Sequence, residues 1–207
     1  MSEALLLDGD AGKIEAVISY PPGFADGEPI SIICHPHPLY SGSMTNKVVY
    51  MIADSFEKLG VATLKFNFRG VGKSQGQFDQ GQGESDDLKR LANWFRHKHP
   101  NSPLWLSGFS FGAYVAARSG DAIAPDRLLL VAPPVSMFDF SSIGPFEVPY
   151  MVIQGEQDEV ISSEAVGHWV DTQPQSPVYH LMPEADHFFH GRLVELREAI
   201  LRSWSRK

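Results

Sequence analysis

Short, nearly continuous apolar runs alternate along this chain with longer stretches in which apolar residues recur every three or four positions. That is the pattern of buried strands interleaved with amphipathic helices. Residues 13–20 alternate apolar and polar side chains and stop at Pro21-Pro22-Gly23, which predicts a half-buried strand near a sheet edge. Residues 29–34 are almost wholly apolar after Pro29 and read as a central strand covered on both faces. Thr45 or Asn46 then caps a helix with Val48, Val49, Ile52, Ala53, Phe56 and Leu59 on one face, ending at Gly60. Residues 61–66 form the next strand, and the order strand, helix, strand implies a right-handed crossover and a parallel sheet.

Residues 68–83 are rich in Gly and Gln with no hydrophobic period, so they read as a loop. A helix follows with Asp86 and Asp87 in its first turn, Leu88, Leu91, Ala92 and Phe95 on its face, and Lys98 and His99 before Pro100. The strand at 103–107, the small-residue helix at 113–118 and the strand at 127–132 come next. Only residues 133–147 separate that strand from the one at 148–154, too short a segment for a helical lid domain, which leaves the site open on that side. A helix from Ser162 or Ser163 to Val170, a last strand at 177–182 and a closing helix with Leu193, Leu196, Ile200, Leu201 and Trp204 on one face complete the chain. No repeat, linker or low-complexity tract interrupts this order, so residues 1–207 are expected to form one α/β domain, a mostly parallel sheet with helices on both faces.

The chemistry gathers at strand ends. Gly108-Phe109-Ser110-Phe111-Gly112 stands where a buried strand turns into a helix. The glycines suit a turn so tight that a Cβ would clash, and the turn aims the Ser110 hydroxyl out of the sheet with the Phe111 amide behind it. A serine hydroxyl needs a base, and the base needs an orienting acid. Asp158, in Gly155-Glu156-Gln157-Asp158, and His187, in Ala185-Asp186-His187-Phe188, follow the next strands in the chain order Ser, Asp, His. All three lie beyond the carboxyl ends of parallel strands, where α/β sheets bind ligands. Glu156 and Glu159 are rival acids; Asp186 could orient or merely solvate, and His190 could cap or pack on the closing helix. His97, His99, His168 and His180 have no partner visible in the sequence.

At 207 residues, 43% hydrophobic and 20% charged, the chain is long enough for a substantial core without disulfides or metals. Its net charge of -8 argues against nucleic acid. Cys34 is the only cysteine, and neither a signal-like start nor a membrane-length apolar run is present. A cytoplasmic protein without a membrane partner is therefore expected.

The chain resembles the α/β-hydrolases over essentially its whole length, and within them the small lidless members of the dienelactone-hydrolase-like type. Cys34-His35-Pro36-His37-Pro38-Leu39-Tyr40-Ser41-Gly42 is similar to the signature of a bacterial group of hydrolases with a His-Pro-His-Pro motif, and Asn67-Phe68-Arg69-Gly70-Val71-Gly72-Lys73-Ser74 resembles the superfamily's Arg-Gly-x-Gly-x-Ser turn. Ser41 stands where the group usually has a second glycine. Ser110 stands where dienelactone hydrolases use cysteine, so their substrate is not carried over.

The resemblance implies that the 35–40 loop supplies a second oxyanion donor beside Phe111. Pro36 and Pro38 have no N–H, which leaves His37, Leu39 or Tyr40, with His37 at the position matching the family's donor. Tyr40, Leu39, Phe109 and Phe188 are candidate pocket residues. The implied activity is serine-dependent hydrolysis of a small carboxylic ester, with thioesters and then small amides or peptides as alternatives. No cofactor or metal is assigned. The rival zinc reading, His35 and His37 with Asp186, His187 and His190, leaves the tight turn at Gly108-Phe109-Ser110-Phe111-Gly112, a nucleophile elbow, unexplained. A binding module without catalysis remains a third class. Lys73-Ser74 is not a phosphate loop, because Asn67 stands where glycine is needed, and Gln75 breaks a dinucleotide motif from Gly70.

Overall fold

The computed structural model describes residues 1–204. Eight strands form one sheet in the order β1-β2-β4-β3-β5-β6-β7-β8. These are β1 (Ser2–Asp8), β2 (Lys13–Ser19), β3 (Ile30–Cys34), β4 (Ala62–Phe66), β5 (Leu104–Phe109), β6 (Arg127–Val131), β7 (Tyr150–Gly155) and β8 (Val178–Met182). Strands β1 and β2 run antiparallel to their neighbours, and the six from β4 to β8 are mutually parallel. The helices are α1 (Lys47–Lys58), α2 (Gln82–Lys98), α3 (Phe111–Ile123), α4 (Ser163–Asp171) and α5 (Leu193–Trp204).

The central strands separate their continuous apolar runs into two cores by simple alternation. Ile30, Ile32, Leu104, Leu106, Leu128, Leu130 and Val152 join the core under α2, α3 and α4. Ile33, Trp105, Phe109, Leu129, Val131, Met151 and Ile153 join the one under α1 and α5. A strand buried on both faces has no polar side to show, which is why these runs read as unbroken apolar sequence.

Strand β1, absent from the sequence reading, takes the edge position, and β2 lies near the edge as expected, second in the sheet and paired on both sides. One expectation is corrected. Helix α2 begins at Gln82, inside the predicted loop, with Glu84 rather than Asp86 and Asp87 in its first turn. The fully buried Glu84 carboxylate accepts from the amides of Asp79 and Gly81 and so fixes the start of α2. Asp87 is buried one turn further on and binds the Arg69 guanidinium at 2.7 Å, an interior anchor rather than a dipole complement. Among the described residues no helix is long and apolar enough to cross a membrane.

Candidate active site

Ser110 sits between β5 and α3 with φ 55° and ψ -121°, a conformation ordinarily left to glycine. Its neighbours explain how the chain sustains it. A Cβ on Gly108 would fall on the Gly112 carbonyl, and one on Gly112 on the carbonyls of Cys34 and His35. The Ser110 amide donates to the Val131 carbonyl at 2.8 Å, tying the turn to the end of β6. The hydroxyl is thereby set at the mouth of the sheet at 8% exposure.

The loops after β7 and β8 lock together beside it. The amides of Glu156 and Gln157 donate to the carbonyls of Met182 and Ala185, and Gly155 packs too closely against Ala185 for a side chain. Asp158 and His187 meet as a result: His187 Nδ1 lies 2.8 Å from Asp158 Oδ2, and His187 Nε2 lies 3.2 Å from Ser110 Oγ. The His187 side chain is 4% exposed.

Burial pushes the Asp158 carboxyl up, but the bond to His187 and the amides of Ile161 and Val160 outweigh it and hold the group below the usual carboxylate range. Gln154 Nε2 adds a further bond at 3.0 Å. Asp158 is thus charged and fully bonded, able to steady an imidazole that takes a proton from the serine. Of the rival acids, Glu156 and Glu159 accept, among the described residues, only backbone amides, those of Glu184 and His187. Asp186 binds His190, ring to carboxylate at 2.7 Å, and does not reach the neighbouring His187.

The 35–42 loop follows β3 on the other side of Ser110. Its Leu39 amide donates to His37 Nδ1, and the amides of Tyr40 and Gly42 donate to the His37 carbonyl, both at 3.1 Å. Those of His37 and Phe111 donate to no acceptor among the described residues. Of the three donors the sequence left open, two are consumed in shaping the loop. Ser41 has φ 62° and ψ 20°, the left-handed conformation that favours glycine. Burial lowers the basicity of the His37 imidazole, which packs against the rings of Tyr40, Phe78 and Phe111.

A cavity of about 520 Å³ opens over Ser110 and His187. Of the predicted pocket residues, Tyr40 and Phe188 line it; Leu39 is exposed beside Tyr40, and Phe109 lies buried beneath, its ring 5.1 Å from that of His187. Sequence reasoning missed Met137 and Phe138 in the 133–147 segment and Val160 in the Asp158 loop. The 133–147 segment holds no helix but supplies a wall, because Phe138 stacks on Tyr114 of α3 with ring centroids 4.5 Å apart. No signal short of that stacking marks these residues. The cavity lining contains no Asp, Glu, Lys or Arg.

The residues of the zinc reading do not converge. Both ring nitrogens of His35 are engaged, at Pro36 and Phe68, and among the described residues no three His, Cys, Asp or Glu side chains form a group able to hold a metal ion. His99 bonds the Tyr20 hydroxyl and His180 that of Ser203, both away from the site.

A family model described as serine aminopeptidase, S33, matches residues 42–141. The uncharacterized protein RP471 of Rickettsia prowazekii is 36% identical over 206 residues, 95% of this chain and 86% of that protein. Among solved structures, XC6422 of Xanthomonas campestris, described as an α/β serine hydrolase without a lid, is 43% identical and superposes with a TM-score of 0.94 over 100% of this chain and 96% of that one. An α/β serine hydrolase homologue from Coxiella burnetii is 44% identical with a TM-score of 0.94 over 98% of this chain and 97% of that one.

Proposed function

The chain belongs to the lidless α/β serine hydrolases, and within that family we propose that it hydrolyses small carboxylic esters by acyl transfer through Ser110. The observation that carries this reading is the unbroken series from Ser110 Oγ to His187 Nε2 at 3.2 Å and from His187 Nδ1 to Asp158 Oδ2 at 2.8 Å.

Ser110 Oγ attacks the ester carbonyl while His187 Nε2 takes its proton, and Asp158 holds the imidazole and balances its charge. The Phe111 and His37 amides receive the negative charge on the carbonyl oxygen, each such donor contributing about 10²- to 10³-fold in rate. The imidazolium then protonates the departing alkoxide. Water, activated by the same imidazole, hydrolyses the acyl-enzyme and restores Ser110.

The lining of the cavity bears on the substrate. A surface with no charged side chain gives an anionic headgroup or a coenzyme tail nothing to pair with, which favours neutral esters over charged thioesters. Uncharged thioesters come next. Small amides follow, an arm kept open by the description of the family model.

Labelling with a fluorophosphonate, followed by peptide mass spectrometry with Ser110→Ala as control, tests the nucleophile. An adduct on Ser110 that the variant lacks is expected, together with turnover of neutral esters above thioesters and amino-acid anilides. Folded protein that takes no label at Ser110 would refute the reading.

A further inference from the structure

His35 is fully buried and touches neither Ser110 nor the cavity, yet its ring is held at both nitrogens. Its Nε2 accepts from the Phe68 amide at 2.9 Å, and an amide can only donate, so that nitrogen carries no proton. The ring proton of the neutral imidazole is then on Nδ1, which donates to the Pro36 carbonyl at 2.6 Å.

That carbonyl belongs to the peptide unit whose nitrogen is His37. Among the described residues the only cis peptide bond is Gly144-Pro145, so the Pro36-His37 unit is trans and planar, with its C=O and N–H pointing in opposite directions. Pulling the oxygen one way fixes the hydrogen the other way. We propose that His35 is a positioning residue, which clamps the Pro36 carbonyl and thereby aims the His37 amide at the oxygen that becomes charged when Ser110 attacks.

Everything around the clamp is stiff. Pro36 and Pro38 fix φ on either side of His37. The His37 carbonyl is tied by Tyr40 and Gly42, and Gly42 packs against the Pro36 carbonyl so closely that no side chain fits. The His35 ring rests on Phe68, centroids 4.6 Å apart, and Phe68 follows β4 just as His35 follows β3. Two adjacent strand ends therefore hold one peptide. A hydrogen bond accepted by the carbonyl also polarises the amide and makes its N–H a stronger donor. Burial lowers the His35 pKa to about 4, which keeps the ring neutral and the clamp intact near neutral pH.

The inference rests on Ser110 being the nucleophile, and two substitutions separate it from a purely structural role. Asparagine places an amide nitrogen near the position of Nδ1 and can still donate to Pro36; glutamine places its amide near Nε2 and keeps only the Phe68 contact. With kcat and KM measured on one neutral ester, at a temperature where each variant is folded by circular dichroism, His35→Gln should lose about 10- to 100-fold in kcat with little change in KM, a part of what removing a donor costs. His35→Asn should retain several-fold more. Binding of a trifluoromethyl ketone, which mimics the charged tetrahedral state, should weaken in parallel with kcat/KM.

Glutamine retaining as much kcat as asparagine, or a loss confined to KM, would overturn the clamp. If neither variant folds, nitrogen NMR of the imidazole in the unaltered protein decides: a proton on Nδ1 with hydrogen-bond coupling to the Pro36 carbonyl is expected, and a proton on Nε2 overturns it. Absence of label on Ser110 in the unaltered protein would instead remove the functional reading, a separate result.

Discussion

Asp158 Oδ2 lies 2.8 Å from His187 Nδ1 across 29 residues of chain, while Asp186, next to His187 in sequence, binds His190 instead. The separation of roles is a matter of direction: β7 and β8 end side by side, and their loops turn the distant acid inward and the adjacent one out to solvent. Asp158→Asn should therefore lower kcat on a neutral ester by about 10²- to 10⁴-fold, because an amide no longer fixes the imidazole in one orientation. Asp186→Asn should stay within a few-fold of the unaltered protein. Steady-state kinetics of the pair check this, and the reverse ranking would refute the assignment of the acid.

Ser110 combines strain with chemistry. Ser110→Ala should reduce turnover by about 10⁴- to 10⁶-fold with the fold retained. Ser110→Gly should be equally inactive yet more stable, by about 1 kcal/mol, since glycine occupies φ 55°, ψ -121° without strain. Urea unfolding of the two variants side by side measures the difference, and a less stable glycine variant would contradict the strain argument.

Gly108→Ala and Gly112→Ala should each lose about 3 kcal/mol or more, or fail to fold, because the added methyl group falls on backbone that cannot move aside. Gly23→Ala is a useful contrast: nothing lies near its Cβ, and only its φ of 78° opposes the change. Thermal melts should rank the elbow variants well below Gly23→Ala.

Stability should fall in acid before the carboxylates titrate. The folded pKa of His35, about 4, is depressed below its unfolded value near 6.5, so in that interval the unfolded chain binds a proton the folded one refuses. The contribution is fully present above the unfolded value and declines as pH falls from there to about 4, by about 3 kcal/mol in all. Asp158 works on a lower window: its depressed carboxyl contributes stability above its unfolded value, lost as pH drops through the folded one. Urea midpoints measured from pH 7 to pH 4 should fall steadily, and a flat profile would contradict a neutral buried His35.

Leu39, Tyr40, Met137, Val160 and Phe188 are exposed apolar side chains on four loops around the cavity mouth. On neutral 4-nitrophenyl esters, kcat/KM should rise from acetyl to longer acyl groups, by up to about fourfold per methylene, until the cavity is filled. Met137→Ser together with Val160→Ser should flatten the rise without slowing the acetyl ester. Equal rates at all lengths, or a preference for a coenzyme A thioester, would refute an uncharged apolar subsite.

Much of this protein was legible one segment at a time. The unbroken runs at β3, β5, β6 and β7 declared strands covered on both faces, because a strand with no solvent side has no polar period. The Gly108, Ser110 and Gly112 spacing declared a turn in which only one residue could keep a side chain with a use. Ser110, Asp158 and His187 were each placed at a strand end by local pattern alone, and the caps Asn46 and Ser162 each stood in a pair of neighbouring candidates, Thr45 or Asn46 and Ser162 or Ser163, between which only the structure chose. What local pattern could not supply was anything depending on which strand ends are neighbours. Strand β1 escaped because its apolar run, Ala4-Leu5-Leu6-Leu7, is short and has neither a period of two nor a β-branched residue to mark it as a strand, and the start of α2 escaped because it is made by a buried Glu84 bonding backbone rather than by apolar periodicity.

From β2 onward the order of the elements, the two-sided burial of the central sheet and the types of reactive group available could be read from the chain, since these follow from composition and periodicity within short windows. The tertiary structure decided which acid faces the histidine, which amides remain free beside Ser110, and that the 133–147 segment walls the cavity. Those are relations across tens of residues, set by the parallel order of strand ends and by backbone packing so close that only glycine fits.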